Sequence, residues 1–188
     1  ANMAAAIARQ KWSKEYFAEL SANNQVHYEQ PGVLTGTMAF GTETPRPFTL
    51  PAVRDHSFGQ RAWDYMDRHL WLCALGPQGK VFQICVVSYP VLKDFATGYS
   101  FADGRYLPVT KVVLSGFERN GREPSAITAV ATVKGLGTVT LKARVPDFVH
   151  LAFADVYDFY EGLGDFTVGV TPYRGIVEFG YNRDARRW

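Results

Sequence analysis

From Gln25 onward the chain alternates apolar and polar positions with a period of two. Val26, Tyr28 and Gln30 interleave with His27 and Glu29, and Leu34, Gly36, Met38 and Phe40 interleave with threonines and Ala39. That period belongs to half-buried antiparallel strand. Similar patterns predict strands over 48–54, 69–75, 81–89, 96–101, 106–117, 126–134, 138–145, 148–157, 166–171 and 176–181. Turn chemistry separates most of them: Pro77-Gln78-Gly79, Asp103-Gly104, Asn120-Gly121, Gly135-Leu136-Gly137 and Pro172-Tyr173-Arg174-Gly175.

Before Gln25 the period is different. Trp12, Tyr16 and Leu20 fall at i, i+4 and i+8 with Phe17 beside them, which predicts one amphipathic helix over 4–20, ended by Asn23-Asn24. About a dozen short strands with hairpin-length connections and no second long helical pattern predict a sheet that closes on itself. The expected fold is all-β: an antiparallel barrel or strongly curved sandwich over 24–188, preceded by an N-terminal α-helix within 1–23.

Composition narrows the partners. A chain of 188 residues suits one domain burying about 70% of its unfolded surface. Its net charge of +2, with scattered lysines and arginines, gives no footprint for nucleic acid. No apolar run reaches the roughly 18 residues of a membrane span, and no signal-peptide core is present. Cys73 and Cys85 are expected as free, largely buried thiols, which points to a reducing, cytoplasmic setting. Histidines at 27, 56, 69 and 150 form no close pair, so neither a metal nor another cofactor is expected. The glycine pairs around Leu136 and Leu163 lack the context of a phosphate loop, and no Gly-x-Ser-x-Gly elbow occurs.

Polar and aromatic residues concentrate at 54–71, which holds two of the four histidines, two of the four tryptophans, three aspartates and three arginines. Asp55 and His56 are adjacent, so in a strand they point to opposite faces, and Asp64, Asp67, Glu29 or Glu178 could supply the carboxylate orienting His56. A histidine held in this way inside an apolar barrel is suited to proton transfer near neutral pH. Arg54 and Arg61 would keep nearby carboxylates ionised. The architectural alternative is a polar plug whose ion pairs close one end of the barrel.

Three stretches carry a family resemblance: His27-Tyr28-Glu29-Gln30 with Gly32-Val33-Leu34-Thr35-Gly36; Arg54-Asp55-His56-Ser57-Phe58-Gly59-Gln60-Arg61 with Trp63; and Gly175-Ile176-Val177-Glu178-Phe179-Gly180. In order and spacing they resemble lipocalin-like proteins related to hydroxyneurosporene synthase (carotenoid 1,2-hydratase) and the AttH group. The resemblance implies a small apolar ligand in a calycin barrel and cofactor-independent hydratase, isomerase or cyclase chemistry. Carried over, His56, Asp55, Arg54 and Arg61 would be catalytic, and Tyr28, Glu29, Trp63, Asp64, Trp71 and Glu178 would contact the ligand. Those relatives usually have two tandem β halves, whereas this chain has about one, and Phe58 stands where a tryptophan is expected. A homodimer or a partner protein would then supply the second half. The alternative is a non-catalytic module that docks on partners through its helix and strand edges.

Overall fold

The computed structural model describes residues 26–59, 63–90, 92–117, 123–153 and 155–184. The expected helix, Arg61 and the Asn120-Gly121 turn lie outside those residues. The described chain forms β1 (Val26–Met38), β2 (Arg46–Phe58), β3 (Arg68–Leu75), β4 (Val81–Tyr89), β5 (Leu92–Ala102), β6 (Arg105–Ser115), β7 (Ala126–Val133), β8 (Gly137–Arg144), β9 (Val149–Phe153), β10 (Tyr157–Val168) and β11 (Thr171–Asn182). A 3₁₀ turn, Pro77–Gly79, joins β3 to β4.

Eight strands close into an antiparallel barrel in the order β3-β4-β5-β6-β7-β8-β10-β11 and back to β3. Each joins its sequence neighbour except where β9 intervenes: β10 pairs β9 along Tyr157–Glu161 and β8 along Asp165–Val168. β1 and β2 form a separate hairpin in full register, Val26 opposite Phe58 and Met38 opposite Arg46. Among the described residues, no helix is long and apolar enough to cross a membrane.

Two expectations are corrected. The strand expected over 148–157 is split, because Asp155 takes a left-handed conformation (φ 56°) and turns β9 into β10. The turn expected at Pro172-Tyr173-Arg174-Gly175 lies inside β11, and the chain reverses at Gly169-Val170 instead. Pro172 sits one residue into its strand, where the missing N–H is tolerated. Gly175 marks close approach rather than a turn: a Cβ there would stand 1.8 Å from the Cys73 carbonyl oxygen.

Eight strands leave an interior that side chains can fill, and here they do. Leu70, Leu72, Ile84, Ala129, Leu141, Val177 and Phe179, from β3, β4, β7, β8 and β11, are fully buried in one cluster. One end is closed by Arg68, whose guanidinium lies 4.9 Å above the Phe117 ring and donates to Asp94 at 2.6 Å, with Lys93 paired to the buried Asp67. The polar closure foreseen for one barrel end is therefore built from these residues, and Arg54 takes no part in it.

The outer wall is not uniform. β7 and β8 alternate buried and exposed positions, as strands with one wetted face should, whereas β3 is buried along nearly its whole length. The β1–β2 hairpin covers it. Val53 of the hairpin packs on an outward-facing cluster of Trp71, Cys73, Val81 and Tyr99. Cys73 and Cys85 are free thiols, and burial pushes the Cys73 thiol up to about 12.

Candidate functional site

Because side chains alternate along a strand, the hairpin sorts its own residues into two sets. His27, Glu29, Val53, Asp55 and Ser57 face the barrel; Tyr28, Arg54, His56 and Phe58 face away. Glu29 fixes the inward set. Its Oε1 accepts from Trp71 Nε1 at 2.8 Å and Gln83 Nε2 at 3.1 Å, and its Oε2 accepts from the Tyr99 hydroxyl at 3.2 Å. Burial raises the Glu29 carboxyl above its ordinary range, opposed chiefly by the Trp71 hydrogen bond. Burial, together with the charge of Glu29, also pushes the Tyr99 phenol upward.

Between the hairpin and the barrel wall lies a cavity of about 460 Å³. His27, Asp55 and Ser57 form its hairpin side, while Trp71 and Cys85, with Glu178 across β11, form its floor. One end is aromatic: Trp63 stacks on Phe153 with centroids 4.7 Å apart and meets Phe159 edge-on at 6.3 Å.

At that end His69, almost wholly buried, lies with Nε2 3.0 Å from Glu178 Oε1 and Nδ1 2.7 Å from the Tyr157 hydroxyl. With Glu178 accepting from Nε2–H, Nδ1 faces the Tyr157 hydroxyl, which also lies 3.3 Å from Met66 Sδ. Gly180 makes room for this arrangement, since a Cβ there would come within 2.3 Å of the Tyr157 ring and 2.8 Å of His69.

Glu178 also stands directly opposite Glu161 across the β10–β11 pair. Two carboxylates in that position repel. Burial and then the Glu178 charge raise Glu161 above the ordinary carboxylate range. The folded state therefore binds the Glu161 proton more tightly than the unfolded chain does. Its contribution to stability is present below the unfolded value near 4.5 and is lost as the pH rises through the folded value. Glu161→Gln is expected to flatten this part of the melting temperature's decline above pH 4.5, as differential scanning fluorimetry at stepped pH would show. An unchanged slope would mean that the fold does not raise Glu161, by burial or by the Glu178 charge.

Of the residues singled out in the sequence, Asp55, Trp63, Trp71 and Glu178 line the cavity, and Glu29 lies behind its hairpin side. Asp64 contributes a backbone carbonyl that accepts from Asn182 at 3.0 Å, and it does not line the cavity. The expected carboxylate-held His56 is corrected. Its Nδ1 lies 2.8 Å from the Tyr28 hydroxyl and 3.2 Å from Arg54, on the hairpin face turned away from the barrel, with the Arg54 guanidinium over the Tyr28 ring. Tyr28 likewise does not reach the cavity. Parity in β2 separates His56 from Asp55, as the sequence reading foresaw, and the hairpin's docking decides which of them faces inward.

Sequence reasoning did not single out His69, Tyr157, Glu161 or Phe159. A strand glycine, Gly180, two residues beyond Glu178 was the one available signal, because it marks a close approach without saying of what.

One comparison with known proteins gave a match: the model of a family described as a domain of unknown function (DUF7064) matches residues 4–183. No curated protein and no solved structure matches the chain.

Proposed function

We propose that this chain, which belongs to the DUF7064 family, binds a small, mainly apolar organic molecule between its hairpin and barrel wall and transfers a proton to it there. The observation that carries this reading is the Glu161–Glu178 pair beside a buried His69 in an aromatic-lined cavity. Two carboxyl groups whose surroundings differ divide into an acid and a base. Glu161, raised, is the proton donor; Glu178, oriented by His69, is the acceptor. The volume suits a ligand of a few hundred daltons, within the about 300–1,000 Å³ typical of such sites.

The likeness to hydroxyneurosporene synthase and the AttH group gives the step a form. Glu161 would protonate a carbon–carbon double bond, the rings of Trp63 and Phe159 would stabilise the resulting cation, and Glu178 would take a proton from the water that adds. Loss of a neighbouring proton to Glu178 instead would give isomerisation. The packed lumen supports a site on the outer wall rather than inside the barrel. In this reading Asp55, Trp63 and Trp71 contact the ligand, Glu29 holds the hairpin in place, and His56, Arg54 and Tyr28 act outside the cavity.

A second reading is favoured by the far half of the hairpin, where Val33 (66% exposed) and Phe40 (62%) project without cover from the described residues. Exposed apolar groups on a projecting arm suit docking on a partner protein or a second copy. Native mass spectrometry of protein from its natural source tests both. A co-purifying organic mass of a few hundred daltons, displaced when Trp63→Ala opens the aromatic end, is the expected result. An empty chain held in a defined protein complex would overturn the ligand reading and support the docking one.

A further inference from the structure

The inward face of the hairpin holds a second constellation, none of whose residues takes part in the proton transfer proposed above. His27 Nε2 lies 3.0 Å from Asp55 Oδ2 and 3.6 Å from Glu29 Oε1, and one donor atom from each residue falls within 4.8 Å of the others. We propose that His27, Glu29 and Asp55 form a binding site for one divalent transition-metal cation of the zinc class, on the hairpin side of the cavity. This proposal stands apart from the acid–base reading, whose groups are on the opposite wall.

The geometry suits the ion. Bonds of about 2.0–2.1 Å in a tetrahedron place neighbouring ligand atoms about 3.3 Å apart. The two His27 separations bracket that edge, and the Glu29–Asp55 separation, no more than 4.8 Å, closes onto it as the ion is seated. One imidazole and two carboxylates also balance a divalent charge, and nitrogen with oxygen donors suits zinc better than the all-oxygen shells of calcium or magnesium.

The site is built rather than incidental. Strand pairing sets Glu29 opposite Asp55, and His27 is two residues from Glu29 on the same strand face, so the backbone register alone converges all three groups. Glu29 is further aimed by Trp71, Gln83 and Tyr99, from three different barrel strands. Such outer partners are how proteins hold a ligating carboxylate. His27 and Asp55 line the cavity, which leaves the fourth position open to water or a bound molecule.

The test is isothermal titration of the chelator-treated full chain with Zn²⁺ and, separately, Co²⁺, with the visible spectrum of the Co²⁺ form recorded. One ion per chain is expected, with the intense absorption of tetrahedral cobalt. His27→Ala and Asp55→Asn should each weaken binding about 100-fold or more, and Tyr99→Phe, which removes only a hydroxyl aimed at Glu29, about 10-fold. His150→Ala is the control, since His150 forms a comparable exposed pair with Asp158 at 2.6 Å. It should change nothing. Absence of binding, or binding that survives His27→Ala and Asp55→Asn, or that is lost in His150→Ala, would overturn the site. Circular dichroism of each variant separates loss of the ion from loss of fold. Retained binding in Glu178→Gln would show that this site and the acid–base pair stand or fall separately.

Discussion

Phe179→Ala is expected to lower the unfolding free energy by about 3–5 kcal/mol, the range for a large ring lost from a close-packed core. Phe179 is fully buried in the lumen, stacked on Tyr160 with centroids 4.8 Å apart and meeting Phe148 edge-on at 5.0 Å. Neither neighbour can close the gap without leaving its own contacts, so the cavity term adds to the lost burial. Urea unfolding followed by tryptophan fluorescence gives the value, because the four tryptophans serve as reporters. The result decides more than stability. A ligand-carrying lumen would tolerate the truncation, so a loss below about 1 kcal/mol would return the binding site to the barrel interior.

Glu178→Gln should leave the fold intact and reduce conversion of the cavity's ligand by about 10²–10⁴-fold, the usual share of one positioned acid or base. The substitution keeps the shape and an oxygen that can still accept from His69 Nε2, now 3.0 Å away. What it removes is the negative charge, and with it both proton acceptance and the repulsion that adds to burial in raising Glu161. Tyr157→Phe should act more weakly, because its hydroxyl meets His69 Nδ1 rather than either carboxyl group. Single-turnover conversion of the ligand identified by mass spectrometry measures both. Equal rates in wild type and Glu178→Gln would remove the carboxyl pair from the chemistry and leave a carrier.

The strands were legible wherever burial is one-sided. β7 and β8 match their expected limits within a residue or so, because alternation records one dry and one wet face, and β4, covered on both faces, matches through its apolar run bounded by Pro77-Gln78-Gly79 and Pro90. Legibility failed where neighbours override local pattern. Pro172 and Gly175 read as turn residues, yet one occupies a strand start and the other clears the Cys73 carbonyl. The family resemblance drew attention to the 54–71 stretch, and the stretch does border the site. Of its two histidines His69 lines the cavity and His56 does not, since strand parity turns His56 to the face of the hairpin away from the barrel.

Sequence by itself determined an antiparallel sheet, closed as a barrel or curved into a sandwich, with free cysteines, and that Asp55 and His56 must part to opposite faces. Those properties follow from side-chain period, turn chemistry and residue count, which are local. Only the tertiary structure decided that the lumen is full, that the hairpin lies on β3 to β5, and that Glu29 is pinned there by Trp71, Gln83 and Tyr99. It also decided the pairing of His69 with Glu178, 109 residues apart, and of Glu161 with Glu178 across two strands. Barrel closure sets the first meeting, because the register between β11 and β3 depends on every strand between them and on no short stretch of the chain, and the β10–β11 hairpin register sets the second.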